Sequence, residues 1–489
     1  MRISRALRRG LGVALLAPLL MTAAPVEAAP AMSTDDTARL SERMVAVTTA
    51  KQINYYPSAA GWTRMWTTFD ARKIDADLAR ARSLGADSVR AMLFPTLFGY
   101  PAPKPEYTAK LAQFVSLAGS HGLTVKLTLF DWWDGYSDTA GSAGWATAVL
   151  APYRYDNRII SVGLQNELDP ANATAIAWAK KILPAVRTAM PGFPLTISVS
   201  ADDPINDLAR LKTAVPLDYY DFHFYGNSER ALSIIQQAKA AVAPAPLVIG
   251  EAGASTLNVT EGEQAAYLAR VFEAAEAAGV GSVAPWTLND FTAGAIPESA
   301  VAKVPAQYTY GLYRTDGTAK PAAAVVKAAW TGTAYPATVL DPGFENTAAQ
   351  TPWSAFMPEL GVPVRTQAMA RSGKWSVAMT RTGKTSAGSP SYRISPIVPV
   401  FAGQKWHAEV WARGNAATGT SQIALSWFDA KDKWLGGASS AALPLGTTGW
   451  TKLSVDATAP AGTAGLQVHL KSGANTGTVW FDDVTMIKS

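Results

Sequence analysis

Cysteine is absent from the 489 residues. Disulfides, thiolate metal sites and a cysteine nucleophile are thereby excluded. Stability in an oxidising compartment has to come from apolar burial, which a chain of this length accommodates in two domains. Long hydrophobic runs are lacking as well, since nothing after the first segment approaches the ~18 uninterrupted apolar residues of a membrane-spanning helix. There is no lysine- or arginine-rich stripe of the kind nucleic-acid binding requires. Of the formal charge of +5, residues 1–28 supply +3 through four arginines and one glutamate, leaving about +2 for the rest. Neither nucleic acid nor a membrane is expected as a partner of the mature chain.

What is present begins with an address. Arg2, Arg5, Arg8 and Arg9 precede the apolar run from Leu11 to Ala23, and Val26-Glu27-Ala28 offers small or tolerated residues to a signal peptidase. Residues 1–28 are expected to be a signal peptide, the mature protein secreted and extracellular, and residues 29–50 an N-terminal extension.

From residue 51 to 330, strand-like runs alternate with helix-like ones. The strand-like runs are NYY near 54, SVRAMLF at 88, TVKLTLF at 124, IISVGLQ at 159, PLTISVS at 194, YYDFHFY at 219, LVIGEAG at 247 and GSVAPWT at 281. Between them Leu111, Phe114, Val115 and Ala118 recur at helical spacing, as do Ala265, Leu268, Ala269 and Phe272. Thr260 with Glu263 three residues on reads as a capping box. Alternation of this kind predicts a parallel (β/α)₈ barrel. After a short small-residue linker, 331–336, the helical period disappears. Strand alternation at Ile423, Leu425 and Trp427, and again at Leu466, Val468 and Leu470, predicts an antiparallel β-sandwich over 337–489.

Two glutamates stand where apolar strands end, Glu167 after IISVGLQN and Glu251 after LVIG. A carboxylate has little reason to close such a run unless it points into a site. When they end the fourth and seventh strands of a barrel they face each other across its mouth. Cleaving a glycosidic bond needs one carboxylic acid to protonate the leaving oxygen and one carboxylate to act at the anomeric carbon, with no metal or organic cofactor. A separation of roughly 5 Å favours retention of configuration. Taken singly, each surrounding residue has a structural reading: Arg90 as a satisfied arginine, His223 as a packed histidine, Trp286 as core. Asp202, Asp203, Asn289 and Asp290 read as solvated rim residues or as substrate contacts.

With Asn166 beside the first glutamate, Arg90 inside SVRAMLF, His223-Phe224-Tyr225 ending the sixth strand and Trp286 ending the eighth, residues 52–330 resemble clan A glycoside hydrolases, most closely glycoside hydrolase family 5. The resemblance implies Glu167 as acid/base, Glu251 as nucleophile, and Asn166 as the partner of the 2-hydroxyl. It implies Arg90 and Tyr225 on the nucleophile, His223 near the acid/base, and Trp286 under the reacting sugar. The third strand end departs from the family's cellulases: where these place a histidine, this chain reads Leu129-Phe130-Asp131-Trp132-Trp133. That loop resembles the mannanase-like branches, with Asp131 the nearest polar replacement and Trp132 and Trp133 as glycone contacts. A monomeric, endo-acting retaining hydrolase of β-glucan or β-mannan is the expectation. An exo-acting glycosidase on oligosaccharides or glycoconjugates, and a non-catalytic polysaccharide-adhesion protein, are the alternatives.

The C-terminal segment, through LDPGFE at 340, GKWSVAM at 373, FAGQKWHAEVWARG at 401 and VWFDDVTM at 479, resembles the carbohydrate-binding jelly rolls of families 4, 9 and 22. It holds eight of the sixteen tryptophans. Alternation sets Trp406 and Trp411 on opposite faces of one strand, so one of them is a candidate sugar platform. The resemblance also implies a structural calcium with Glu345, Asp482 and Asp483 as candidate ligands, the other reading being caps and turns. A spacer without affinity is the rival view of the module.

Overall fold

Barrel strands in this chain are short and rich in Val, Ile and Leu because both faces are buried, one in the barrel interior and one beneath helices. The computed structural model describes residues 32–332, 341–346, 351, 353–356, 363–380, 391–394, 398–429 and 431–488. The expected leader, 1–28, and residues 333–336 of the expected linker lie outside the described residues. Among the described residues eight parallel strands follow one another: Gln52–Asn54, Ser88–Met92, Thr124–Thr128, Ile159–Gly163, Leu195–Thr196 continued by Ser198–Val199, Tyr220–Phe224, Leu247–Ala252 and Val283–Pro285. The fifth is interrupted at the buried Ile197, and Leu164 N–H to Thr196 O at 2.8 Å and Leu168 N–H to Ser198 O at 3.1 Å bridge the break from the fourth. Thr287 Oγ1 and Leu288 N–H both donate to the Asn54 carbonyl, at 2.8 and 3.0 Å, and tie the last strand to the first. The fold is a (β/α)₈ barrel followed by a β-sandwich.

The helices bury the faces their spacing predicts. Helix Pro105–Ser120 turns Leu111, Phe114, Val115 and Ala118 inward, each large side chain contributing roughly 1.5–3 kcal/mol. Helix Glu261–Ala278 opens on the Thr260/Glu263 capping box and ends at Gly279, whose φ of 67° only glycine adopts cheaply. Residues 29–50, expected as an extension, contain a helix, Thr34–Thr48, capped by the Ser33 hydroxyl. It closes the N-terminal end of the barrel: Val47 and Ala50 pack on Ile160, Tyr219 and Val248, and the Arg43 guanidinium lies 3.8 Å over the Phe193 ring. Among the described residues no helix is long and apolar enough to cross a membrane.

The barrel interior is charged rather than uniformly apolar. Arg90, Lys126, Asp221, His223 and Glu251 are all buried inside it. Lys126 pairs with Asp221. Burial pushes the lysine down despite its partner, whereas Lys126, His223 and Arg90 hold Asp221 below the ordinary aspartate range against the cost of burial. Gly250 leaves room for this pair: a Cβ there would stand 2.1 Å from Asp221 Oδ1.

The C-terminal domain is a pair of antiparallel sheets facing each other over a second core that includes Trp353, Val410, Leu425, Val468 and Phe481. One sheet runs Trp353–Phe356, Ser391–Ile394, Gly465–Gly473, Thr420–Phe428, Trp434–Ser439 in spatial order, with Val398–Pro399 also on Gly465–Gly473. The other runs Val364–Thr366, Ser376–Thr380, Thr478–Lys488, Lys405–Asn415, Thr451–Thr458.

Gly250→Ala is expected to cost at least about 3 kcal/mol in urea denaturation, because it displaces Asp221 from Lys126 and strands a buried charge. Gly144→Ala, in helix Thr139–Leu150 with nothing within 4 Å of the new methyl, is expected to stabilise by about 0.5–1 kcal/mol.

Candidate active site

At the C-terminal rim, side chains from four strands converge on one guanidinium. Arg90, from the second strand, donates through Nη1 to Glu251 Oε1 at 2.6 Å and through Nη2 to Asn166 Oδ1 at 2.6 Å. Its remaining contacts are Thr128 Oγ1 at 3.0 Å and Asn54 Oδ1 at 3.3 Å. Glu251 Oε2 accepts the Tyr225 hydroxyl at 2.7 Å. His223 Nδ1 lies 2.7 Å from Glu167 Oε1 and 3.3 Å from Glu251 Oε2. One oxygen of each glutamate and a His223 nitrogen all lie within 4.8 Å of one another.

Glu167 reaches this position from strained backbone. Its φ is 47°, the left-handed region that costs a non-glycine residue roughly 1–2 kcal/mol. Ser198 of the fifth strand holds the bend: its hydroxyl accepts the Glu167 N–H at 3.0 Å and donates to Asn166 Oδ1 at 3.3 Å. The two carboxylates occupy different surroundings. The Glu167 side chain is 40% exposed and that of Glu251 only 7%. Desolvation acts to raise Glu167, but the His223 hydrogen bond and charge and the charge of Arg90 hold it below the usual glutamate range. His223, whose burial opposes its charge, is raised by Glu251 and Glu167 on either side. Burial and the Glu251 charge keep Tyr225 protonated well beyond the ordinary phenol range.

Two carboxylates and a histidine are also a donor set for a divalent metal. Here the buried Arg90 cation already pairs with Glu251, and Nδ1 of His223 is engaged with both carboxylates, so the residues present do not fit a cation.

The substrate-side residues separate. Asp131 is buried at the third strand end, its Oδ1 accepting the Trp132 N–H at 3.1 Å. Burial first, then the charges of Glu251 and Glu167, outweigh Arg90 and push its carboxyl up to about 7. Trp132 stands on the rim, 53% exposed. Trp133 turns inward against Tyr100, with ring centroids 4.5 Å apart, and against Phe130 at 5.8 Å. Trp286 is almost wholly covered, with Trp62 and Tyr56 edge-on to it at 5.7 and 6.2 Å. Asn289 and Asp290, expected on the rim, are buried structural groups instead: Asn289 bonds the Tyr56 carbonyl and Asp77, and Asp290 pairs with Lys320. Asp203 is the N-cap position of helix Pro204–Ala214. Ser198, Thr128, Asn54 and Tyr56 belong to the site without standing out in the sequence. Their one signal is that small polar or phenolic groups occupy inward positions at strand ends.

In the sandwich the expectation for Trp406 is corrected. It is 2% exposed and belongs to the core, because its strand position faces the opposite sheet. Trp411 lies on the other face, under the Arg371 guanidinium at 3.8 Å. The three candidate calcium ligands each make contacts within the domain. Glu345 Oε1 accepts the Lys374 and Trp375 N–H groups, Asp482 Oδ2 those of Arg371 and Ser372, and Asp483 pairs with Arg371.

No family model matches the sequence, and no curated protein matches it at a significant level. Solved structures share the barrel. A GH5_18 protein from Bifidobacterium longum subsp. longum ATCC 55813 is 18% identical over 59% of this chain and 81% of its own, with a TM-score of 0.50. The exo-β-1,4-mannosidase Op5Man5 from Opitutaceae bacterium strain TAV5 is 19% identical over 57% of this chain, with a TM-score of 0.50, and this chain spans 59% of its length. The likeness is one of fold alone.

A raised histidine supplies stability that is fully present below about pH 6.5 and is lost as pH rises through its folded value. A depressed glutamate supplies stability present above about pH 4.5 and lost as pH falls through its folded value. His223→Asn is therefore expected to lower the thermal midpoint most between those limits, by at least about 2 °C. The gap to the parent should narrow as pH rises through the raised folded value of His223, read by differential scanning calorimetry across the range.

Proposed function

We propose that the protein is a secreted, retaining β-glycoside hydrolase. The observation that carries the reading is the pair of carboxylates within 4.8 Å, one partnered on both oxygens by Arg90 and Tyr225 and the other sharing a proton with His223. Glu251, already partnered on both oxygens, attacks the anomeric carbon. As the glycosidic bond breaks, Glu167 delivers to the leaving oxygen the proton it shares with His223 Nδ1. A water then gives its proton back to Glu167 and its oxygen to the anomeric carbon, releasing Glu251. The strain at Glu167 and its solvent-facing position suit a group that has to reach both the leaving oxygen and the incoming water.

The proposed substrate is a β-linked glucan or mannan cut within the chain. An exo-acting reading, on β-mannosides or short oligosaccharides, is favoured by one observation, the fold shared with a protein named an exo-β-1,4-mannosidase. The sandwich is proposed to hold the same polymer. Trp434, 62% exposed on strand Trp434–Ser439, is its accessible indole.

Reducing-sugar release from β-1,4-mannan, cellulose derivatives, β-1,3-glucan, xylan and galactan, with 4-nitrophenyl β-glycosides beside them, tests the reading. Turnover of one of these is expected, falling on the order of 10⁴-fold or more in Glu251→Ala. Oligosaccharide products mark the endo reading and a single monosaccharide the exo reading. Silence on polymers and glycosides alike contradicts the hydrolase.

A further inference from the structure

We infer that Asp131 and Tyr56 form a neutral hydrogen-bonding pair in the wall of the glycone subsite, and that Asp131, as the carboxylic acid, donates its proton to a hydroxyl of the bound sugar. The inference rests on the glycosidase reading.

Buried polar atoms near the catalytic carboxylates with no partner in the protein include Asp131 Oδ2 and the Tyr56 hydroxyl, as well as His223 Nε2. Asp131 and Tyr56 are both nearly inaccessible, Asp131 at 3%. Orphaned atoms of this kind cost about 1–3 kcal/mol each, a penalty that a ligand hydroxyl placed between them would relieve. The two belong to one locality: the charge of Asp131 acts directly on Tyr56, and the Tyr56 ring lies edge-on to Trp286. Trp62, stacked on Tyr56 at 5.2 Å, fixes the phenol in place. Asp131 is fixed as well, through its N–H to the Leu93 carbonyl at 3.0 Å and its Oδ1 to the Trp132 N–H.

The charges around Asp131 decide its form. Glu167 faces it from the fourth strand and Glu251 from the seventh, both disfavouring a third anion. Arg90 faces it from the second strand and its charge acts the other way, but that guanidinium is hydrogen-bonded to Glu251, Asn166, Thr128 and Asn54. On the first strand's side stands Tyr56, which is itself kept neutral by burial and by Asp131. His223, on the sixth strand, is engaged with the two glutamates. With a carboxyl raised to about 7, Asp131 is protonated in acidic and near-neutral solution. Asp131 thereby takes a role distinct from the two glutamates, that of a neutral donor, by environment alone. A buried donor that only a substrate hydroxyl satisfies also discriminates strongly against a sugar lacking that hydroxyl.

Asp131→Asn copies the shape of the acid without its titration, and Asp131→Ala empties the position. Infrared difference spectra of parent and Asp131→Asn against pH need no substrate. They should show a protonated-carboxyl carbonyl band in the parent, absent from the variant, that vanishes with a midpoint near pH 7. On a 4-nitrophenyl β-glycoside or polymer that the parent hydrolyses, kcat/KM against pH reads the donor. The expected result is an acid limb at the same midpoint in parent and Asp131→Asn, since neither carries a charge there. The alkaline limb should move upward in Asp131→Asn, and kcat/KM in Asp131→Ala should fall by about 10- to 100-fold. An ionised Asp131 would instead show no such band, and Asp131→Asn would shift the acid limb by removing a charge beside Glu167 and Glu251. Either of those results, or an alkaline limb unmoved in Asp131→Asn, overturns the inference. A titrating band with no turnover of any glycoside refutes the glycosidase reading and removes the sugar from this site, so the two failures are separable.

Discussion

One buried guanidinium holds the site together. Arg90 lies in the barrel interior with each of its three nitrogens bonded, to Thr128, to Asn54 and Glu251, and to Asn166, groups drawn from the first, third, fourth and seventh strands. A cation in that place is costly unless paired, so Glu251 has to be there as an anion and the strands carrying its other partners have to keep register. The backbone of Asn54 and its side chain are drawn into the same arrangement: its carbonyl ties the last strand to the first, and its amide donates to the Gly250 carbonyl at 2.8 Å.

Below that level the Lys126–Asp221 pair continues the charged interior toward the N-terminal end of the barrel. Each layer balances the next. Asp221 is held low by Lys126, His223 and Arg90 together, and Arg90 is raised by Glu251, Asp221 and Asp131 in spite of its burial. A change in any one of these charges is therefore felt at the glutamates. This is a physical reason for a barrel interior that gives up apolar packing: it positions two carboxylates in different surroundings.

Much of this was legible in the sequence, because a carboxylate that ends an apolar, β-branched run breaks the burial rule conspicuously, as Glu167 and Glu251 do. Arg90 and His223 share that signal. Ser198, Thr128 and Asn54 do not, since a small polar residue in a strand is ordinary and its aim is set by tertiary register. Alternation separated Trp406 from Trp411 correctly, yet their burial depends on the facing sheet and on Arg371, neither of which is local. Helix Thr34–Thr48 is hard to see in the sequence because little of it besides Arg43 and Val47 is fully covered, leaving a faint apolar period. Asn289 and Asp290 looked like rim residues because loop position, without Asp77 and Lys320 in view, says nothing of burial.

The central claim is that Glu251 forms a covalent glycosyl intermediate, which the closeness of the two carboxylates permits. Proton NMR of the first hydrolysis product, recorded before mutarotation, tests it most directly. The account predicts a product with the β configuration of the substrate; an initial α product would mean a single displacement by water and would contradict it.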